Sequence, residues 1–227
     1  MPFILHIETA TDVCAVALAE GGQLLQLEEA AGSFQHAAQL TLLVQSAFAK
    51  AGRKMSKVDA VAVSSGPGSY TSLRVGTATA KGICYALNKP LIAVDTLQSL
   101  ALACLKQERE EGLYYPMIDA RRMEVYTAAF DAANEQLTDA APLIVGERTF
   151  DEQIAKGIPI ILCGNGAAKC KKVLPKEGIH YSNVTCSAAH LLPLALLAYE
   201  REDFEDVAYY DPFYLKPPNI TTPKKVL

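Results

Sequence analysis

Val58-Asp59-Ala60-Val61-Ala62-Val63-Ser64-Ser65-Gly66-Pro67-Gly68-Ser69-Tyr70-Thr71-Ser72-Leu73-Arg74-Val75-Gly76 joins a strand to a helix through a glycine-rich loop, and the fold class turns on how it is read. Val58 to Val63 is short, β-branched and bounded by small residues, the signature of a buried strand. Gly66 and Gly68 open backbone angles closed to other residues, and Pro67 stiffens the loop between them. A helix opening at Ser69 or Thr71 points its free N–H groups into that loop, where an anion is favoured. No G-x-x-x-x-G-K-[ST] can be drawn through the stretch, so a P-loop NTPase is excluded. A tight βα turn with a Gly-Pro-Gly stop accounts for the same residues equally well.

Outward from this stretch the chain reads as two similar passages. The first has strands at Phe3–Ile7, Val13–Ala19 and Gln23–Glu29, a helix from about Ser33 to Gly52, the Val58 strand, and a helix ending near Leu87. Leu91–Val94 and a helix from Asp95 or Thr96 to about Arg109 complete it. The second has strands at Tyr114–Ile118, Met123–Phe130 and Leu143–Val145, a short helix from Phe150, the strand Ile158–Leu162, and helices at Ala167–Val173 and Ser187–Arg201. Strand hairpins followed by alternating helix and strand predict an α/β protein in which a mixed sheet covered by helices is made twice. Residues 1–110 and 111–227 are the two expected lobes, with 216–227 a Pro-rich, basic, flexible tail. Each passage places a carboxylate, Glu8 or Asp119, where its first strand gives way to the hairpin turn. Turn capping explains both. The arrangement also resembles the duplicated ribonuclease-H-like fold of sugar kinases, actin and Hsp70, whose equivalent turns face each other across a nucleotide cleft.

Composition narrows the function classes. Half of the 227 residues are hydrophobic and a fifth are charged, with a formal net charge of -4. That balance argues against a chain that grips nucleic acid alone. The N-terminus enters a strand pattern at once, without a signal-peptide profile, and no stretch reaches membrane-span length, so a cytoplasmic protein is expected. The six cysteines form no C-x-x-C pair, and none of the four histidines has a second histidine at i+3 or i+4. No metal site is expected.

Four segments carry a closer resemblance. Ile4–Leu18 with its Glu-Thr-Ala-Thr turn, Ser64–Gly76, Ile118–Tyr126 and Cys163–Ala167, together with Pro212-Phe213-Tyr214-Leu215-Lys216, resemble the bacterial TsaB (YeaZ) family over almost the whole chain. The resemblance implies a non-catalytic subunit of the machinery that makes N6-threonylcarbamoyladenosine at position 37 of tRNA. It implies pairing with a related TsaD-type catalytic subunit, joined by a TsaE-type ATPase, with tRNA reached only through the complex. No tightly bound cofactor is implied; ATP or ADP at the subunit junction stays open, as does a homodimer of isolated chains. The older glycoprotease label of the family finds no catalytic arrangement here. In the catalytic relative two histidines four apart bind a metal, and Thr96 and Leu100 stand at those positions here. Neither is a comparable ligand. The first turn of the family usually carries Asp-Thr-Ser, whereas this chain has Glu8-Thr9-Ala10. Glu8, Thr9, Ser65, Gly66, Gly68, Ser69 and Thr71 are the candidate nucleotide or anion contacts. The competing class is an ATP-dependent small-molecule kinase of the same superfamily, which requires a general base and a second glycine-rich site that the sequence does not display.

The residues give a separate reason to expect a partner. Phe34 to Ala49 contains no Lys, Arg, Asp or Glu, whereas an ordinary surface helix keeps charges on its wet face. In the next helix Ser72, Gly76 and Ala80 recur every fourth residue, a stripe that lets another backbone approach closely. His36, Leu40, Leu43, Val44, Ser72, Gly76 and Ala80 are therefore the expected partner interface, matching the four-helix arrangement that the resemblance implies. A stripe packed on the chain's own sheet fits the same spacing.

Overall fold

The computed structural model describes residues 1–31 and 36–217. Its first sheet holds β1 (Phe3–Glu8), β2 (Val13–Glu20), β3 (Gln23–Ala31), β4 (Ala60–Gly66) and β5 (Leu91–Asp95), in the order β3-β2-β1-β4-β5. The first three strands are antiparallel neighbours, and β4 and β5 join β1 in parallel. The second sheet holds β6 (Leu113–Asp119), β7 (Glu124–Thr127), β8 (Ala141–Ile144), β9 (Ile160–Cys163) and β10 (Ile179–Tyr181), in the order β10-β9-β6-β7-β8. Read from the other edge, this is the same sequence of pairings, antiparallel then parallel. The mixed sheet that the strand pattern predicts is made twice, in the two-lobe α/β arrangement of the ribonuclease-H-like resemblance.

Every residue of β1 is buried, because both faces of the first sheet are covered. That is why a central strand reads as a continuous apolar run rather than an alternation. On one face lie α1 (His36–Ala51) and α2 (Tyr70–Leu87), packed on Phe3, Leu5, Ile7, Val61 and Val63. The other face, with Ile4, Ala60, Ala62, Ile92 and Val94, is covered from the far end of the chain. There the predicted Ser187–Arg201 helix splits into a tight 3-10 turn, Ala188–Leu191, and α6 (Leu192–Glu200). Pro193 lies in the first turn of α6, where its missing N–H costs no internal bond.

Packing crosses the expected boundary at residue 110. α3 (Thr96–Glu108) follows the first sheet in sequence, yet its Leu97, Leu100, Ala101 and Cys104 pack on Tyr114, Ile118 and Ile161 of the second. α4 (Asp151–Ala155) and α5 (Ala167–Cys170) cover the opposite face of that sheet, with Ile154, Ala167 and Cys170 against Met117 and Leu162. The strand β10 is missing from the sequence reading. Three residues between Gly178 and Ser182 are too few to display a period.

The last described residues are not a free tail. Glu205 bridges Leu91, Phe213 donates its N–H to the Ser65 carbonyl at 2.7 Å, and Lys216 pairs with Glu124. The expected flexible segment 216–227 is thus anchored at its first residue, and 218–227 lie outside the described residues, as do Ser33, Phe34 and Gln35 at the predicted start of α1. No helix among the described residues is long and apolar enough to cross a membrane.

Candidate functional site

The glycine loop between β4 and α2 is sealed by the chain itself. Gly66 has φ +107, open to glycine and strained for any L side chain, and its N–H donates to Thr96 Oγ1 at 3.1 Å. The Ser69 N–H donates to the Ala10 carbonyl at 2.7 Å. That carbonyl presses on Gly68, and the Phe213 carbonyl presses on Gly66; at each position a Cβ would fall well inside contact distance. Ser65, Gly66, Gly68 and Ser69 were expected to present groups to an anion. Instead the backbone groups of Ser65, Gly66 and Ser69 are bonded within the chain, and Gly68 gives its space to a carbonyl. Thr71, in the first turn of α2, is exposed.

The hairpin corner of the first lobe is also closed to solvent. Glu8 is 1% exposed, and its carboxylate accepts the Ala10 N–H at 2.6 Å. Burial pushes its carboxyl up to about 7, against the pull of that bond and of the Ser64 hydroxyl. Thr9 is fully buried; its N–H donates to Ser64 Oγ at 3.2 Å, and its hydroxyl lies over Gly76. Glu8 and Thr9 are buried within the turn they build.

In the second lobe the corresponding corner is open. The Asp119 side chain is 44% exposed and pairs with Lys169. It also accepts the Arg121 N–H at 2.8 Å, while its own N–H donates to Asn165 Oδ1 at 2.9 Å. Asn165 Nδ2 lies 3.4 Å from Asp12 Oδ1, which links the two corners across the lobes. Arg121 and Arg122 follow in left-handed backbone, φ 69 and 51, with exposed side chains. Asn165 and Phe213 lie in segments similar to the family's, and with Lys169 they hold the glycine loop and these corners through distant partners. Their work depends on neighbours 46 or more residues away, which no local pattern reveals.

Thr96 and Leu100, at the start of α3, have structural work of their own. Thr96 holds the loop of the first lobe through Gly66, and Leu100 is buried against the Gly164 turn of the second. Among the described residues, no three His, Cys, Asp or Glu side chains gather in a way that could hold a metal ion.

The residues expected at a partner interface face mostly into the chain's own core. His36, Leu40, Val44, Gly76 and Ala80 are buried inside the chain, and Leu43 packs at the margin of the same core. Gly76 is small because Thr9 occupies the place of a side chain. Ser72 is half-buried, and its hydroxyl donates to Ser69 Oγ at 2.9 Å. The outward faces are different residues. α1 presents Ala37, Ala38, Thr41, Leu42, Gln45 and Ala49, with Leu42 61% exposed. α2 presents Ala78, Gly82, Tyr85 and Ala86, with Tyr85 86% exposed, and a Cβ on Gly82 would meet nothing within 4 Å.

The family model "TsaD: tRNA N6-adenosine threonylcarbamoyltransferase" matches residues 29–209. The tRNA threonylcarbamoyladenosine biosynthesis protein TsaB of Haemophilus influenzae is 26% identical over 98% of this chain and 96% of its own length. A tRNA N6-adenosine threonylcarbamoyltransferase of Solidesulfovibrio magneticus is 32% identical over 76% of this chain, which spans only 52% of that longer protein. The solved structure of YeaZ from Pseudomonas aeruginosa superposes with a TM-score of 0.78 at 27% identity, covering 95% of this chain and all of that one.

Proposed function

The chain belongs to the TsaD family and, within it, to the TsaB (YeaZ) group, and from that premise we propose that it is a non-catalytic subunit in the synthesis of N6-threonylcarbamoyladenosine on tRNA. In this reading it binds and activates a TsaD-type catalytic subunit. A TsaE-type ATPase joins the pair in the cytoplasm, and tRNA is met through the assembled complex. The observation that carries the reading is the outward surface of α1 and α2. From His36 to Ala49 α1 has no ionic side chain, and Leu42 and Tyr85 stand exposed beside small residues. The solvent face of α1 up to Ala49, with Ala78, Gly82, Tyr85 and Ala86 of α2, carries no charge, while Arg74 stands apart near the start of α2. Such a face is shaped for another protein, because interface cores are depleted of charge and favour close backbone approach. The non-catalytic part of the reading is supported by Thr96 and Leu100, both committed to packing and loop support. ATP or ADP, if it enters the complex, sits at the subunit junction rather than in the sealed glycine loop.

Leu42→Glu and Gly82→Leu test this placement. Both change exposed positions, so folding should be unaffected by circular dichroism and thermal melting. Burying an unpaired carboxylate in an interface costs about 3 kcal/mol or more, roughly a hundredfold in Kd. Size-exclusion chromatography with the TsaD-type subunit should show the complex lost for each variant, with tRNA modification lost alongside. Intact co-elution of both would exclude this face as the docking surface.

A further inference from the structure

Residues 205–214 run antiparallel to α2 along its whole length. The Glu205 N–H donates to the Leu91 carbonyl at 2.9 Å, just past the end of α2. Midway, Lys81 donates to the carbonyls of Ala208 and Tyr210, at 3.2 and 2.9 Å. At the start of the helix the Tyr214 ring lies 4.6 Å from that of Tyr70, tilted by 42°, and Arg74 stands over the Tyr70 face. Two residues further on, Lys216 reaches Glu124 on β7 of the second lobe.

This strap has two unlike halves. Through Pro212 it is part of the core: Val207 packs on the core between α1, α2 and the first sheet, and Tyr210 and Pro212 are buried. From Phe213 onward the hold is thin. Among the described residues it rests on a backbone hydrogen bond to Ser65, the tyrosine pair and an ion pair at partly exposed side chains, with Tyr214 and Leu215 half-buried. Phe213 is itself 48% exposed. An ion pair of this kind contributes little and weakens with salt. Yet this weakly held half is the one that closes the glycine loop, with the Phe213 carbonyl seated in the space that Gly66 leaves.

We propose that residues 213–216 are a latch hinged after Pro212. Closed, the latch fills the Gly66 concavity with a backbone oxygen and ties the second lobe to the first through Lys216 and Glu124. Open, it releases the loop and the β7 end together. The two events are coupled because one short segment makes both contacts, with only Leu215 between the tyrosine pair and the ion pair. The proposal stands whether or not α1 and α2 dock a partner, since every contact in it is within this chain.

Amide hydrogen exchange on the full chain, read by mass spectrometry, tests it. The wild type is followed across a salt series and compared with Tyr214→Ala/Lys216→Glu at low salt. Peptides covering 64–70, 121–126 and the segment from Pro212 should gain exchange together, severalfold, both with salt and in the variant. A peptide covering β1 should not change. Gain confined to the segment from Pro212 would overturn the latch, because the loop would be closed without it. So would unchanged protection of that segment, which would make it a fixed part of the fold. If the double variant loses β1 protection, it has unfolded, and the wild-type salt series alone decides.

Discussion

The two hairpin corners of this protein occupy equivalent places in topologically equivalent sheets, and they have opposite characters. At the first, Glu8 is buried, bonded to its own turn, and driven toward the neutral acid. At the second, Asp119 is half-exposed and ion-paired, and is followed by two exposed arginines in left-handed backbone. The difference follows from what covers each corner. At the first corner α2 presses Gly76 on Thr9, the Thr9 N–H is bonded to Ser64 on β4, and the Glu8 carboxylate is bonded to its own turn. At the second corner Lys169 and Asn165 bond Asp119, and its side chain stays 44% exposed. Fold duplication preserves strand order; it does not preserve the dielectric environment in which a carboxylate sits, and that environment sets its chemistry.

The sharpest way to break the comparison is to fill the space that closes the first corner. Gly76→Leu should destabilise the chain by about 3 kcal/mol or more, since Thr9 occupies the room a side chain needs. Urea denaturation should show a lowered midpoint or no folded baseline at all. A variant as stable as the wild type would mean that Thr9 can yield and that the corner is less tightly closed than it looks.

A smaller effect sharpens the electrostatic contrast. Glu8 is raised from its ordinary 4.5 to about 7. Its neutral form therefore contributes stability that is fully present below pH 4.5 and is lost as pH rises through about 7. His6, two residues earlier on β1, is lowered by burial from 6.5 to about 4. Its contribution runs the other way and is lost as pH falls through that window. The two slopes oppose each other between about 4.5 and 6.5, so the wild-type profile is flattened there. Glu8→Gln keeps an acceptor for the Ala10 N–H and removes one of the slopes. The stability difference between variant and wild type should grow in the variant's favour from pH 4.5 to pH 8, toward about 3 kcal/mol. A difference independent of pH would show that Glu8 is ionised in the folded chain.

The smallest effect is expected at the second corner. Asp119→Asn removes a half-exposed ion pair with Lys169 and should cost less than about 1 kcal/mol. Complex assembly should survive it, and so should tRNA modification in a reconstituted reaction. Loss of modification from an intact complex would mean that this chain supplies chemistry at the open corner.

Much of the fold was legible along the chain. β1, β4 and the loop into α2 are local signals, set by apolar runs and by the backbone freedom of glycine. The uncharged run of α1 was equally visible and needed no coordinates. The Ser72, Gly76, Ala80 stripe was legible as a close-packing face, but spacing alone does not say which body packs there. The same period serves the chain's own β1–β2 turn, as it does here through Thr9, or the helix of another chain. The exposed counterparts, Leu42, Gly82 and Tyr85, became identifiable only once the sheet had claimed the other side.

What the sequence determined by itself is the material of most elements: the long strands and helices, though not β10 or the break before α6, and where the glycines permit a tight turn. These follow from local backbone preference and side-chain chemistry, which each residue carries wherever it goes. Tertiary structure alone decided that Glu8 is buried while Asp119 is wet, that α3 and α6 each serve the other lobe's sheet, and that the Phe213 carbonyl fills the glycine loop. Each of those facts is a meeting of residues far apart in the chain. Burial and electrostatic environment belong to the meeting rather than to either partner, so no reading of one segment at a time contains them.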